Sequence, residues 1–415
     1  MKKILGILVL AGVLLAACTT APSPGGSETI TGETPAGEAA TSTEVPASAT
    51  PTFTQTPEPS PTPVPPTATP EPTATPLPVG PDAFPAGINP LTGLPAADPG
   101  LLSLRPVGVK INIYPRSQYR PNWGISLADI VYDYYHNNGY TRFHAIFLGN
   151  QAELVGGIRS GRLLDVDLVQ MYKSIFVYGG ADNRVDRYFW SSFPERLVRE
   201  GVESLCPPTN EKPLCRYDPN GVSNLLAGLP EVHAHVQSQG LDDSKQNLDG
   251  MLFDLAVIAN GQPGSQVTTR YSSDSYNRWE YNPETGAYLR FQDNQIDTGE
   301  GEVFAPLTDR VTEQQVSAEN VVILFASHEN TVPGAQTEIF DIALSGTGKA
   351  LAFRDGQAYE VQWNRPAIDS VLYLTFPDGS RYPYKPGKTW YQVVGLYSKA
   401  NLEEGGSWRV TFGIP

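Results

Sequence analysis

A formal net charge of −15 over 415 residues, with no lysine- or arginine-rich run beyond the first three positions, excludes a nucleic-acid partner. Phosphate binding along a nucleic acid needs a concentrated positive patch, and none is written here. The length allows two domains once a tail of Thr, Pro, Ser, Ala, Gly and Glu is set aside.

The chain opens on Lys2-Lys3, an apolar run from Ile4 to Leu15, and Leu15-Ala16-Ala17-Cys18. This is a signal peptide with a small-residue cleavage site, and its apolar run is too short for a transmembrane helix. Cysteine at the end of LAAC resembles a bacterial lipobox, which implies lipid on Cys18 and residence outside the cytoplasm. The anchor would sit on the outer face of the cytoplasmic membrane, or on an outer membrane where the organism has one. Residues 19–82 lack the apolar side chains that would offset the entropy of ordering, so they read as a disordered stalk. Its proline-rich part favours polyproline II, rising about 3.1 Å per residue.

Folded structure is expected from about Gly87, with residues 83–240 as an α/β domain and 241–415 as a mostly antiparallel β domain, an α+β protein overall. NPLTGLP is turn chemistry, and Val107 to Ile113 reads as a first strand. ADIVYDYYHNNGYTRFHAIF reads as a hairpin turning at Asn138-Gly139, because both central residues of a type I′ turn need positive φ. An unbroken ladder from that turn pairs Tyr134 with Phe143, Tyr132 with Ala145 and Ile130 with Phe147. The opposite face then carries Tyr135 beside Arg142, and Asp133 beside His144.

VGGIRSGR follows, with Arg159, Ser160 and Arg162 among three glycines. LLDVDLVQMYK is then an amphipathic helix with Leu164, Leu168 and Met171 inward. SIFVYGG is a short strand. ADNRVDRYFWSSFPERLVREG is expected to be helical in its second half. Cys206 and Cys215 have eight residues between them and, outside the cell, fit a disulfide rather than a metal half-site. EVHAHV, read as a strand, would put His233 and His235 on one face, but no third metal ligand stands near. From Gly264 onward, WEYNP, AYLRFQ, NVVILFA, ALAFRDGQAYEVQWN, SVLYLTF and WYQVVGLY alternate with turns such as Asp355-Gly356 and Asp378-Gly379.

Together NPLTGLP, RPVGVKIN, RPNWGISLADIVYDYY, GYTRFHAIF, VGGIRSGR, YNRWEYNPETGAYLRF, ENVVILFA, GTGKALAFRDGQAYEVQW and YPYKPGKTWYQVV resemble the YerB-like bacterial lipoproteins. The resemblance covers nearly all of residues 87–396 in order. It implies a lipid anchor, a spacer, an α/β domain and a β domain, both of unknown function. Where those proteins often carry His-x-Asp after the RF strand, this chain has Asn294-Gln295-Ile296-Asp297.

Two chemical readings compete for the hairpin and the glycine-rich segment. Arginine forks beside a helix start suit an anion, so Arg142, Arg159, Ser160 and Arg162 form a candidate site, with Asp133, Tyr135, His144 and Asp182 nearby. The alternative is that the arginines pair with Asp165, Asp167 or Asp133 and serve the fold. Asp133 and His144 could act as a base and its orienter. No GxSxG, HExxH, P-loop or dinucleotide motif occurs, and no cofactor is expected. The leading expectation is a non-enzymatic envelope protein that binds an anionic ligand or partner. Its rival is a hydrolase or transferase acting on a phosphate-containing wall glycopolymer.

Overall fold

The computed structural model describes residues 77–221 and 223–415. Cys18, its signal peptide and the stalk as far as residue 76 lie outside the described residues. The fold takes up the chain at Val79, which exchanges two backbone hydrogen bonds of 2.8 Å with Phe253, rather than near Gly87.

The principal elements are β1 (Val107–Asn112), β2 (Ile130–Asn137), β3 (Tyr140–Phe147), α1 (Leu163–Tyr172), β4 (Ile175–Tyr178), α2 (Asn183–Ser192), β5 (Leu197–Arg199) and α3 (Leu229–Ser238). In the second half come β6 (Gln266–Arg270), β7 (Tyr276–Asn282), β8 (Ala287–Asp293), β9 (Asn320–Asn330), β10 (Gly346–Arg354), β11 (Gln357–Arg365), β12 (Thr389–Gly395) and β13 (Ser407–Thr411). This is an α+β architecture with a β-rich second half.

One mixed sheet runs β11-β10-β9-β12-β2-β3-β1-β4-β5 and draws on both halves of the chain. The seam is β2 against β12, parallel, with Ile130 opposite Thr389 and Tyr134 opposite Val393. A second sheet, containing β8-β7-β6-β13, packs on one face of the first. Trp279 of β7 meets Trp390 of β12 edge-on at 5.1 Å, and Gln392 donates to Thr269 at 2.7 Å. Helix α1 covers the other face, where the hydroxyls of Tyr132 and Tyr172 lie 2.8 Å apart.

Because both faces are covered, every residue of β2 is buried, charged ones included. The Asn138-Gly139 turn forms as expected, with φ of 50° and 84°. The ladder behind it does not. Asn137 faces Tyr140, but the pairing then slips at His136, and Tyr134 faces Arg142, Tyr132 faces His144 and Asp133 faces Phe143. His136 is an extra residue on one strand, a β-bulge, and one extra residue exchanges the two faces of everything beyond it. The expected partnership of Asp133 with His144 is therefore overturned.

Two helices also differ from expectation. Helical structure in 181–201 lies in the first half, because Asp182 caps it by accepting from the Arg184 N–H at 2.9 Å and Pro194 cannot continue it. EVHAHV lies in α3, with proline in the first turn, so His233 and His235 point to different sides; His233 Nδ1 lies 3.0 Å from Asp243. A four-stranded sheet (Val155–Gly156, Leu225–Ala227, Leu214–Arg216, Glu203–Leu205) carries the Cys206–Cys215 disulfide.

Candidate functional site

Strands β1, β4 and β5 are mutually parallel, so their carboxyl ends open on the same edge. The segment 156–162 crosses that edge. Arg159 N–H donates to the Lys110 carbonyl at 3.0 Å, Gly179 N–H to the Arg159 carbonyl at 3.0 Å, and Gly161 N–H to the Gly180 carbonyl at 2.9 Å. A crevice outside the carboxyl ends of parallel strands is the usual ligand position in open α/β sheets. Here it is a cleft of about 270 Å³ whose lining includes Arg159, Gly179, Glu200 and Arg216.

The glycines are needed for approach. A Cβ on Gly161 would stand 2.7 Å from the Phe189 ring, and one on Gly157 would stand 2.8 Å from the Tyr119 ring. Both positions bring the loop backbone hard against aromatic packing, which fixes where Arg159 and Arg162 emerge.

Beneath the loop lies a buried polar network. Lys110 in β1, Tyr134 in β2, His144 in β3 and Asp165 in α1 share the α1-facing side of the sheet. Asp165 Oδ1 accepts from Tyr134 at 2.6 Å, lies 2.9 Å from His144 Nδ1 and 3.4 Å from Lys110 Nζ, while Lys110 also bonds the Tyr134 hydroxyl. Oδ2 of the same carboxylate accepts the Arg162 N–H at 2.7 Å, so the network ends at the loop that carries the arginines. Burial pulls the Lys110 ammonium down to about 7 despite the attraction of Asp165. Burial opposes charge on Asp165 too, but Lys110 and His144 outweigh it and hold the carboxyl below its ordinary value. His144 is held neutral by burial, so Nδ1 donates to Asp165 and Nε2 keeps its lone pair. That nitrogen faces Gly108, where a Cβ would come within 2.4 Å.

Above the network the cations are held by neutral groups. Arg142, only 8% exposed, donates to Asn112 Oδ1 at 3.2 Å and to the Ser160 carbonyl at 2.8 Å. The Arg162 guanidinium donates to the carbonyls of Gly161 at 2.9 Å and Ser160 at 3.3 Å, and lies 3.5 Å from His136 Nδ1. Burial and the neighbouring Arg162 and Arg159 push Arg142 well below its usual value. Burial, Arg142, Arg162 and Lys110 do the same to His136.

Arg142, Ser160 and Arg162 thus come together with Arg159 close by, and His144 lies directly below them. Asp133 does not join them. It faces the second sheet and pairs with Arg290 at 2.7 Å, both fully buried. Tyr135, on the same side as Asp133, donates to Glu338 at 3.1 Å. Asp182 caps α2, where the side chain and backbone N–H of Arg184 hold its carboxyl down at about 2. Of the acids weighed as structural partners, Asp165 takes the Arg162 backbone, whereas Asp167 pairs with Arg365 at 2.6 Å. The expected reading overlooked Lys110. Its signal was present: a lone lysine inside the apolar strand VGVKIN has no solvent face on which to sit.

Residues 91–205 match the family described as "Protein of unknown function (DUF3048) N-terminal domain", and residues 267–391 match its C-terminal domain. The chain belongs to this family. YerB of Bacillus subtilis (strain 168), which bears the name of a lipoprotein, is 28% identical to this chain over 322 residues, 76% of this chain and 88% of YerB. The crystal structure of Bacillus subtilis YerB superposes with a TM-score of 0.59 at 26% identity, covering 74% of this chain and 96% of that one. The resemblance read from the sequence is therefore borne out, and the family brings no activity with it.

Proposed function

We propose that this is a lipid-anchored envelope protein, lipidated at Cys18, whose loop 156–162 presents Arg159 and Arg162, backed by Arg142, to an anionic ligand. The observation that carries this reading is the company the arginines keep. Arg142 and Arg162 spend their guanidinium donors on carbonyls, an amide oxygen and a neutral imidazole. A phosphate or carboxylate on the cleft side would supply the missing negative charge through short charge-assisted bonds.

Binding is favoured over turnover by the placement of the acid–base candidates. His144 is fully buried against Asp165, Asp133 is turned to the second sheet, and Asp182 is held ionised by Arg184. The hydrolase or transferase reading has lost the pair on which it relied.

Calorimetric titration of the full chain in detergent with inorganic pyrophosphate tests the site. Arg162→Ala and Arg159→Ala should abolish heat of binding while leaving the melting temperature nearly unchanged. Wild-type protein that takes up no pyrophosphate, or variants that bind it normally, would remove the proposal. The anchor is tested separately: Cys18→Ala should leave the membrane fraction or remain uncleaved, and wild-type fractionation of that variant would refute lipidation.

A further inference from the structure

We infer that the anion taken by this cleft also carries an amine, selected by Glu200: the ligand is a phosphate ester of a short amino alcohol. The inference rests on the anion-site reading above and adds the ligand's second charge. Arg159 and Glu200 flank the carboxyl end of β4. On one side the Gly179 N–H donates to the Arg159 carbonyl at 3.0 Å, and on the other the Glu200 N–H donates to the Tyr178 carbonyl at 3.3 Å. Neighbouring strands lie about 4.8 Å apart, so the two backbones stand roughly 10 Å from one another across the end of β4. Gly179 lies between them and puts no side chain into the gap, and all three residues line the same cleft.

The two walls differ in charge. Arg216, from the small sheet, also lines the cleft; its guanidinium bonds Glu200 and lies 3.6 Å from Glu203. Two carboxylates that share one cation leave this end with a net negative charge, and the Glu200 side chain is 49% exposed there. The opposite wall is positive through Arg159, whose charge is close enough to Arg142 to help push that group's value down. A simple anion would be drawn to the arginine wall and repelled by the glutamate wall. A ligand with a phosphate at one end and an ammonium at the other meets both fields favourably, through a charge-assisted bond at each end. When Glu200 takes the ammonium, Glu203 stays beside Arg216 as its counter-ion.

Calorimetry on the full chain in detergent tests this with phosphoethanolamine, its diester glycerophosphoethanolamine, and ethyl phosphate, which lacks the amine. Wild type should bind phosphoethanolamine about tenfold tighter than ethyl phosphate, the scale of one charge-assisted bond at a half-exposed carboxylate. Glu200→Gln should bring that ratio close to one and bind ethyl phosphate more tightly than wild type, because the substitution removes a repelling charge. Equal binding of the two monoesters by wild type, a preference that survives in Glu200→Gln, or an equal loss of both ligands in that variant would each overturn the amine subsite while the anion site stands. Failure of wild type to bind any of these probes or pyrophosphate would instead overturn the anion reading, and the amine subsite with it. The diester separates the sources of the same chemistry. Affinity equal to that for the monoester assigns the ligand to a lipid headgroup, and weaker affinity assigns it to a free phosphate monoester.

Discussion

Lys110 Nζ lies 3.4 Å from Asp165 Oδ1 in a compartment that neither side chain shares with solvent. The pair is not isolated: Tyr134 and His144 complete the shell of Asp165, and its second oxygen holds the backbone of Arg162. A buried charge pair adds little net stability when intact, because desolvation offsets the attraction, yet losing one partner leaves an uncompensated charge. Asp165→Ala should therefore destabilise the fold by about 3–5 kcal/mol in urea unfolding. It should also weaken anion binding, since the loop that positions Arg162 loses its anchor.

The same lysine gives a pH dependence with a definite sign. Its value falls from 10.5 in the unfolded chain to about 7 in the fold. Between those two values the unfolded chain holds a proton that the folded chain lacks, so the stability attributable to Lys110 rises with pH across this window. Below about 7 both states carry the charge and the contribution is flat. Unfolding free energies measured from pH 7 to 10 should climb more steeply in wild type than in Lys110→Met. Parallel profiles would show that Lys110 titrates normally.

Much of the architecture is legible in the sequence, and the parts that are not share a cause. Asn138-Gly139 declares its turn because positive φ is a local demand, and α1 declares itself because Leu164, Leu168 and Met171 recur at the helical period. The bulge at His136 has no such signature. Nothing in YDYYHNNG marks which residue drops out of the ladder, and the usual arbiter, one apolar and one polar face, is absent in a strand buried on both sides. The seam of β2 with β12 joins segments about 260 residues apart, which no local pattern reports. The site was half visible for the same reason: Arg159 and Arg162 stand out by their glycines, whereas the pairing of His144 with Asp165 depends on the register.

On the other face of β2, Asp133 and Phe143 stand opposite one another beneath Arg290, whose guanidinium lies 5.3 Å from the Phe143 ring. Phe143 also meets Trp390 edge-on at 5.0 Å. Phe143→Ala should cost about 3–5 kcal/mol, as for a core aromatic. Asp133→Ala should cost a similar 3–5 kcal/mol by stranding Arg290, with much of that recovered in Asp133→Ala/Arg290→Met. Urea unfolding of the three variants separates these outcomes. If Asp133→Ala instead spared stability and removed a ligand-binding signal, the residue would belong to a site after all.

The disulfide closes a ten-residue loop in the small sheet whose Leu225–Ala227 strand pairs with Val155–Gly156, the start of the arginine loop. Cys206→Ser/Cys215→Ser should lower stability by roughly 2–3 kcal/mol through loop-closure entropy. Because Ile158 N–H also bonds the Leu225 carbonyl, loosening this sheet should weaken pyrophosphate binding as well. Unchanged affinity in the double variant would show that the loop holds its position without the staple.

The bulge itself offers the most direct test of how the sheet is built. His136 is the residue by which β2 exceeds its partner β3, and it sets Tyr132 and Tyr134 on the α1 face and Asp133 on the face of the second sheet. Deleting it makes Tyr135 the neighbour of Asn137 and gives an even ladder from the Asn138-Gly139 turn, in which Tyr134 still faces Arg142, Asp133 still faces Phe143 and Tyr132 still faces His144. The buried contacts of Asp133 with Arg290 and of Tyr134 with Asp165 then keep their partners, and the positive-φ turn is kept as well. What is lost is the local twist of the bulge and a neutral ring beside Arg162. The deletion should therefore still melt cooperatively, and His136→Ala, which keeps the backbone count, should melt within a few degrees of wild type. A deletion variant without a cooperative transition would show that the bulge, and not the pairing on either side of it, holds the hairpin in place.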